Sequence, residues 1–175
     1  MSNYFELFGL PESFEIDLAA LSSTYQQLQR VTHPDKFAGQ SEQQQRIALQ
    51  KNAQVSDGYQ ALKSPVRRAE HLLSLRGIEL AGETQTMQDM DFLMQQMHWR
   101  EMLADINESN DPEQVIDDLN DEVEQQLRLL TKSLSESLQV NDEQHNQLAA
   151  DNVRKLKFIL KLQSEVAEKE EQLLS

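Results

Sequence analysis

The octapeptide Arg30-Val-Thr-His-Pro-Asp-Lys-Phe37 interrupts a run of helical periodicity, and the residues on either side of it decide the fold. Upstream, Leu18, Leu21, Tyr25 and Leu28 fall on one helical stripe, with Asp17 as a good N-cap. That helix is expected to end near Val31, because Pro34 pushes His33 out of the right-handed helical region. Downstream, Ser41 followed three residues later by Gln44 makes a capping-box start. The helix it opens carries Ala48, Val55, Tyr59 and Leu62 on its buried face, while Gly58 inside it costs ~1 kcal/mol relative to alanine. The two helices read as an antiparallel hairpin closed by a short, stiff, polar turn.

Moving outward, Tyr4, Leu7 and Phe8 suggest a brief opening helix that Gly9 to Pro11 terminates. Ser64 and Pro65 start a fourth helix that runs to Leu75 and is stopped by Gly77. The segment Arg76-Gly-Ile-Glu-Leu-Ala-Gly-Glu83 then punctuates the chain, and Ile78 and Leu80 should make it pack rather than wave freely. Charge changes at the same place. Residues 1–76 hold eight basic and eight acidic side chains, whereas residues 77–175 hold eight and 22, so the whole net charge of −14 lies in the second half. Two domains are expected, 1–76 and 87–175, joined by a linker over 77–86.

The second half reads as three longer helices, from about Asp89 to Ser109, from Asp111-Pro112 onward, and from Asn141-Asp142 to the C-terminus. The middle one has a single clean stripe of Ile116, Leu119, Val123, Leu127, Leu130, Leu134 and Leu138. The first has two. Projected at ~100° per residue, Phe92, Trp99, Leu103 and Ile106 form one face, and Met90, Leu93, Met94 and Met97 another nearly opposite, continued by Glu101 and Asp105. A three-helix bundle buries one side of each member, so the methionine stripe should be exposed. Five of the six methionines lie between Met87 and Met102, and flexible, polarizable methionine suits a surface that accommodates another protein. In the last helix Val153, Leu156, Ile159 and Leu160 share a core face with Val166 near its edge. Phe158 and Leu162 project away from it among Arg154, Lys157 and Lys161. No stretch alternates with period two, so the fold class is all-α.

Composition excludes several functions. A net charge of −14 repels nucleic-acid phosphates and anionic membrane surfaces alike. No cysteine is present, which removes disulfides, thiol nucleophiles and thiolate metal sites and fits a reducing, cytoplasmic setting. No apolar run reaches the ~20 residues of a membrane span, and the acidic N-terminus is unlike a signal peptide. The four histidines, His33, His71, His98 and His145, have no helical two-histidine spacing, and His71 and His145 read as surface or helix-end residues. The pairs Asp117-Asp118 and Asp121-Glu122 lie opposite an apolar stripe and read as a solvated face. No catalytic residue, metal ligand or cofactor is expected, and the chain is expected to be a monomer.

His33-Pro34-Asp35, read alone, is a helix–helix turn in which Asp35 caps the residues after it. Its placement changes that reading. Together with Tyr4-Phe-Glu-Leu-Phe-Gly-Leu10 and Ser64-Pro-Val-Arg-Arg-Ala69, it makes residues 3–76 resemble the J-domain proteins, co-chaperones of DnaK-type ATPases. The resemblance implies that the turn docks on the chaperone and favours its hydrolysis-competent conformation. The residues implied are His33, Pro34 and Asp35, with Lys36 and Arg30 beside them. Members of the group usually expose several basic residues on the second helix; here Tyr25-Gln-Gln-Leu-Gln-Arg30 offers Arg30 alone, which suggests a specialised chaperone partner.

An acidic three-helix domain behind such a hairpin, with few glycines and no cysteine, is similar to the HscB family of iron–sulfur co-chaperones. Asp91-Phe-Leu-Met94, Trp99-Arg-Glu-Met102 and Val153-Arg-Lys-Leu-Lys-Phe158 carry that likeness. It implies a client, the cluster scaffold IscU, delivered to the chaperone HscA. It also implies that Leu93, Met94, Met97, Glu101, Asp105 and Phe158 hold the scaffold. His98 stands where an acidic residue is common in the family. Two other readings stay open: a J-domain protein with a different client, and a coiled-coil protein whose long helices pair with copies of themselves.

Overall fold

A computed structural model describes residues 2–80 and 89–175, so most of the expected linker, and Met87, lie outside the described residues. The chain falls into two compact units, Met1–Glu79 and Leu80–Ser175. Helices and turns account for both, with no strand among the described residues.

In the first unit α1 spans Tyr4–Leu7, α2 Leu18–Thr32, α3 Glu42–Lys63 and α4 Pro65–Leu75. Each start is fixed by a side chain that accepts otherwise unpaired N–H groups. Asp17 accepts from Ala19 and Ala20 at 3.0 and 3.1 Å, Ser41 from Gln44 at 3.2 Å, and Ser64 from Arg67 at 3.3 Å. Helix α2 ends at Thr32, where His33 turns to φ −59°, ψ 129° ahead of the proline. The hairpin is tied by a stacked Tyr25–Tyr59 pair at 4.0 Å and by Asn52, which donates to Gln29 and Thr32.

The opening segment seats itself with Phe5 and Phe8 rather than with Tyr4 and Leu7, which are half-buried. A helix this short has no stripe to read, so the residue that points inward is set by the surface it lands on. That surface includes Gly58 of α3, whose missing side chain admits the Tyr4 and Phe8 rings. Arg68 is buried; its guanidinium donates to the Phe14 and Leu62 carbonyls at 2.6 and 2.7 Å and lies 4.8 Å from the Phe14 ring centroid. Leu18, expected on the buried stripe of α2, is exposed, because it stands in the first turn.

In the second unit α5 spans Met90–Ala104, α6 Pro112–Leu138 and α7 Glu143–Leu174, capped by Asp89, Asp111 and Asp142. The helix expected to run to Ser109 instead stops at Ala104 and tightens into a 3-10 turn, Ile106–Glu108, which delivers Ile106 fully buried. At ~1.5 Å per residue α5 is roughly 22 Å long, whereas α6 and α7 are roughly 40 and 48 Å. It therefore covers only part of the α6–α7 pair. Phe92, Trp99 and Ile106 of that cover form one core with Ile116, Leu119, Val123, Ile159, Leu162 and Val166.

This partial cover corrects the reading of α7. Leu162 is fully buried and Leu160 is 41% exposed, the reverse of the expected arrangement. The early stripe Ala149, Val153, Leu156 points one way. Where α5 joins, burial passes to Ile159, Leu162 and Val166, a rotation of roughly 100° about the helix. Leu160 continues the first stripe and is stranded outside. Phe158 is corrected too: it does not project away but is half-buried against the core.

Candidate interaction sites

The first site is the turn of the α2–α3 hairpin. Pro34–Phe37 is a 3-10 turn, closed by Lys36 N–H donating to the His33 carbonyl at 3.1 Å. The side chain capping it is that of His33, not Asp35: Nδ1 accepts the Asp35 N–H at 3.2 Å. That bond needs a bare Nδ1, which leaves the neutral ring with its proton on Nε2. The Asp35 carboxylate has 93% of its side-chain surface in solvent and lies 3.7 Å from His33 Nδ1. Lys36 and Arg30 are exposed beside it, and the Arg30 Nε donates to Gln26 O of its own helix at 3.4 Å. The far side of the turn is anchored by Gln45, which donates to the Ala38 and Gln40 carbonyls at 3.0 Å. A stiff loop thus presents a carboxylate and an imidazole to solvent. A carboxylate so placed can accept a two-pronged charge-assisted bond from an arginine.

The second site is the outer face of α5. Met90, Met94 and Met97 are 68%, 66% and 63% exposed, Leu93 is half-buried at their edge, and Glu101 and Asp105 are exposed along the same line. Phe158 comes from α7. Its ring meets Phe92 edge-on at 5.9 Å and stacks on Trp99 at 6.4 Å, so part of one ring face joins the core. On one flank His98 and Glu101, Met102, Asp105, Glu108, Ser109 and Val115 line an open depression. On the other, Lys155 donates to Asp89 at 2.6 Å, and this bond, with the Phe92 N–H, holds the Asp89 carboxyl below the usual range.

Periodicity alone missed three features. Glu122 is half-buried rather than part of the solvated face: it accepts the Trp99 indole N–H at 3.1 Å and lies 3.7 Å from His98 Nε2. Arg100 and Glu165 form an ion pair joining α5 to α7, with the guanidinium 5.2 Å from the Phe158 ring centroid. His71 is half-buried rather than a surface residue. Its Nε2 accepts the Tyr4 N–H at 3.0 Å and its ring stacks on Tyr4 and Phe5, while burial holds its pKa below the ordinary value against a smaller upward pull from Glu12. In each case the partner comes from another helix, which a stripe along one helix does not show.

A helical hairpin that turns through an exposed His-Pro-Asp, in one chain with a three-helix bundle whose methionine face is open, is the arrangement that the resemblance to J-domain co-chaperones implies. Comparison with known proteins narrows this. The family described as "HSCB C-terminal oligomerisation domain" matches residues 88–167. The co-chaperone protein HscB homologue of Pseudoalteromonas atlantica is 54% identical over 171 residues, 98% of each chain, and that of Shewanella oneidensis is 54% identical over 172 residues, 98% and 99%. Among solved structures, chaperone HscB from Vibrio cholerae superposes with a TM-score of 0.87 at 45% identity, covering 98% of this chain and 99% of that one. Human co-chaperone HscB gives 0.87 at 28%, covering 97% and 83%. The chain belongs to the HscB family. That membership makes it a co-chaperone of iron–sulfur cluster biogenesis.

Proposed function

We propose that the protein binds the cluster scaffold IscU through its second unit, delivers it to the DnaK-type chaperone HscA, and stimulates the chaperone's ATPase through its first. The observation that carries this reading is the pairing, in one chain, of an exposed His-Pro-Asp turn with an uncovered apolar face on α5. His33, Pro34 and Asp35, flanked by Lys36 and Arg30, form the chaperone-facing set. Leu93, Met94, Met97, Glu101, Asp105 and Phe158 form the client-facing set. The protein supplies no catalytic group: it shifts the chaperone toward the conformation that hydrolyses ATP, which requires only that it bind that conformation better. Residues 1–76 act as the J domain and 87–175 as the client domain, working in the cytoplasm without a cofactor.

Separating the two sets tests the reading. Replacing half-buried Leu93 and exposed Met97 by alanine removes apolar contact from this face, and we expect scaffold affinity to fall at least tenfold, with client-free ATPase stimulation unchanged. Unchanged affinity would move the client surface off α5. His33→Gln is expected to do the opposite, abolishing stimulation while leaving scaffold affinity intact. Because the matched family's description speaks of oligomerisation, sedimentation at micromolar concentration decides whether the α5 face pairs with itself. We expect a monomer.

A further inference from the structure

The proposed client surface is built from two helices, and its α7 contribution, Phe158, is not held by the core alone. Phe92 and Trp99 contact the ring from within the bundle. The Arg100 guanidinium also lies over the ring, 5.2 Å from its centroid, and that guanidinium is itself fixed by the Glu165 carboxylate on α7. Arg100 follows Leu93 by seven residues, so both occupy the same edge of α5. Its apolar stem therefore runs from the Leu93 edge of the methionine stripe toward Phe158, and its planar head covers part of the aromatic face.

The Arg100 and Glu165 side chains are 40% and 29% exposed, and an ion pair so placed contributes little to folding. Its geometry does more than its energy. A guanidinium that stacks on an aromatic ring while bound to a carboxylate across the helix–helix seam restricts which way the ring can turn. We propose that Arg100, oriented by Glu165, is a positioning residue for client recognition: it fixes the Phe158 ring and makes the α5 stripe and the α7 aromatic one continuous surface. This rests on the scaffold-binding reading above and adds to it a residue outside the client-facing set.

The test is a double-mutant cycle on scaffold affinity. Arg100→Lys keeps the charge and most of the stem but loses the planar head. We expect it to weaken scaffold binding about three- to tenfold, with Glu165→Gln giving a similar loss. Unfolding temperature and client-free ATPase stimulation should not move. In a Phe158→Ala background, adding Arg100→Lys should cost less than about twofold further, because its target is gone. Trp99, the chain's single tryptophan, stacks on Phe158 and should report the change: near-ultraviolet circular dichroism should shift in Arg100→Lys before any client is added. The same affinity loss in the Phe158→Ala background would overturn the proposal by showing that Arg100 meets the client directly. So would an unchanged affinity in Arg100→Lys when Phe158→Ala weakens binding. If Phe158→Ala and the Leu93/Met97 double variant both leave affinity intact, the scaffold-binding reading itself fails, an outcome distinct from failure of the positioning role. Should Arg100→Lys loosen α5, Glu165→Gln carries the same cycle from α7.

Discussion

His71 illustrates how much a single side chain can do that its place in the sequence conceals. As a bare acceptor it satisfies the first N–H of α1, which spans four residues and has few other ties. Burial depresses its pKa, so protonation is easier in the unfolded chain. The stability it supplies is thus complete above the ordinary histidine pKa of ~6.5 and is lost as pH falls below it toward the lower folded value. His71→Gln can retain an acceptor that does not titrate in this range. The unfolding temperature of the native chain should therefore fall relative to that of His71→Gln between pH 7.5 and 5.5, measured side by side. A constant difference would show that the Tyr4 bond does not depend on a neutral ring. Glu122 teaches the same lesson: neither the carboxylate under Trp99 nor the imidazole beneath Tyr4 carries a local sequence signal, because the partner lies 23 and 67 residues away.

At the scale of elements, most of what periodicity and capping chemistry can specify is found in place. Asp17, Ser41, Ser64, Asp111 and Asp142 all cap the helices they were expected to start, because each start depends on residues within three positions. Helix α6 buries or half-buries every residue of its expected stripe, from Ile116 to Leu138. Helix α7 does not, since its buried face depends on where α5 begins and ends. The exposed methionine stripe was legible because α5 carries more apolar surface than one face can bury. Arg100 was not, because a charged residue at the edge of an apolar face reads as solvent-facing until its partner on α7 is known.

Gly58 turns from a liability into a requirement at this scale. In an isolated helix, Gly→Ala gains about 1 kcal/mol. Here an added Cβ would lie 2.9 Å from Tyr4 Cδ1 and 3.0 Å from Phe8 Cε2, and the Tyr4 ring cannot retreat because it is stacked on His71. Gly58→Ala should therefore destabilise the first unit, by a net loss of about 1–2 kcal/mol in denaturant unfolding, as overpacking outweighs propensity. A gain in stability would mean that α1 does not sit on α3 as described.

For the molecule as a whole, the proposed function divides between two units of different electrostatic character. The first is balanced in charge and offers a rigid polar turn; the second carries the acidic excess and an open apolar face. Neither feature alone distinguishes a co-chaperone from a helical turn or an unmatched stripe. Whether they act as one device is tested most directly by ATPase stimulation of HscA, measured with the chain alone, with scaffold alone and with both. We expect modest stimulation by the chain, little by the scaffold, and far more than their sum together, with the excess lost in both His33→Gln and the Leu93/Met97 double alanine variant. Stimulation by the pair that merely adds, or that survives either substitution, would contradict the proposed function.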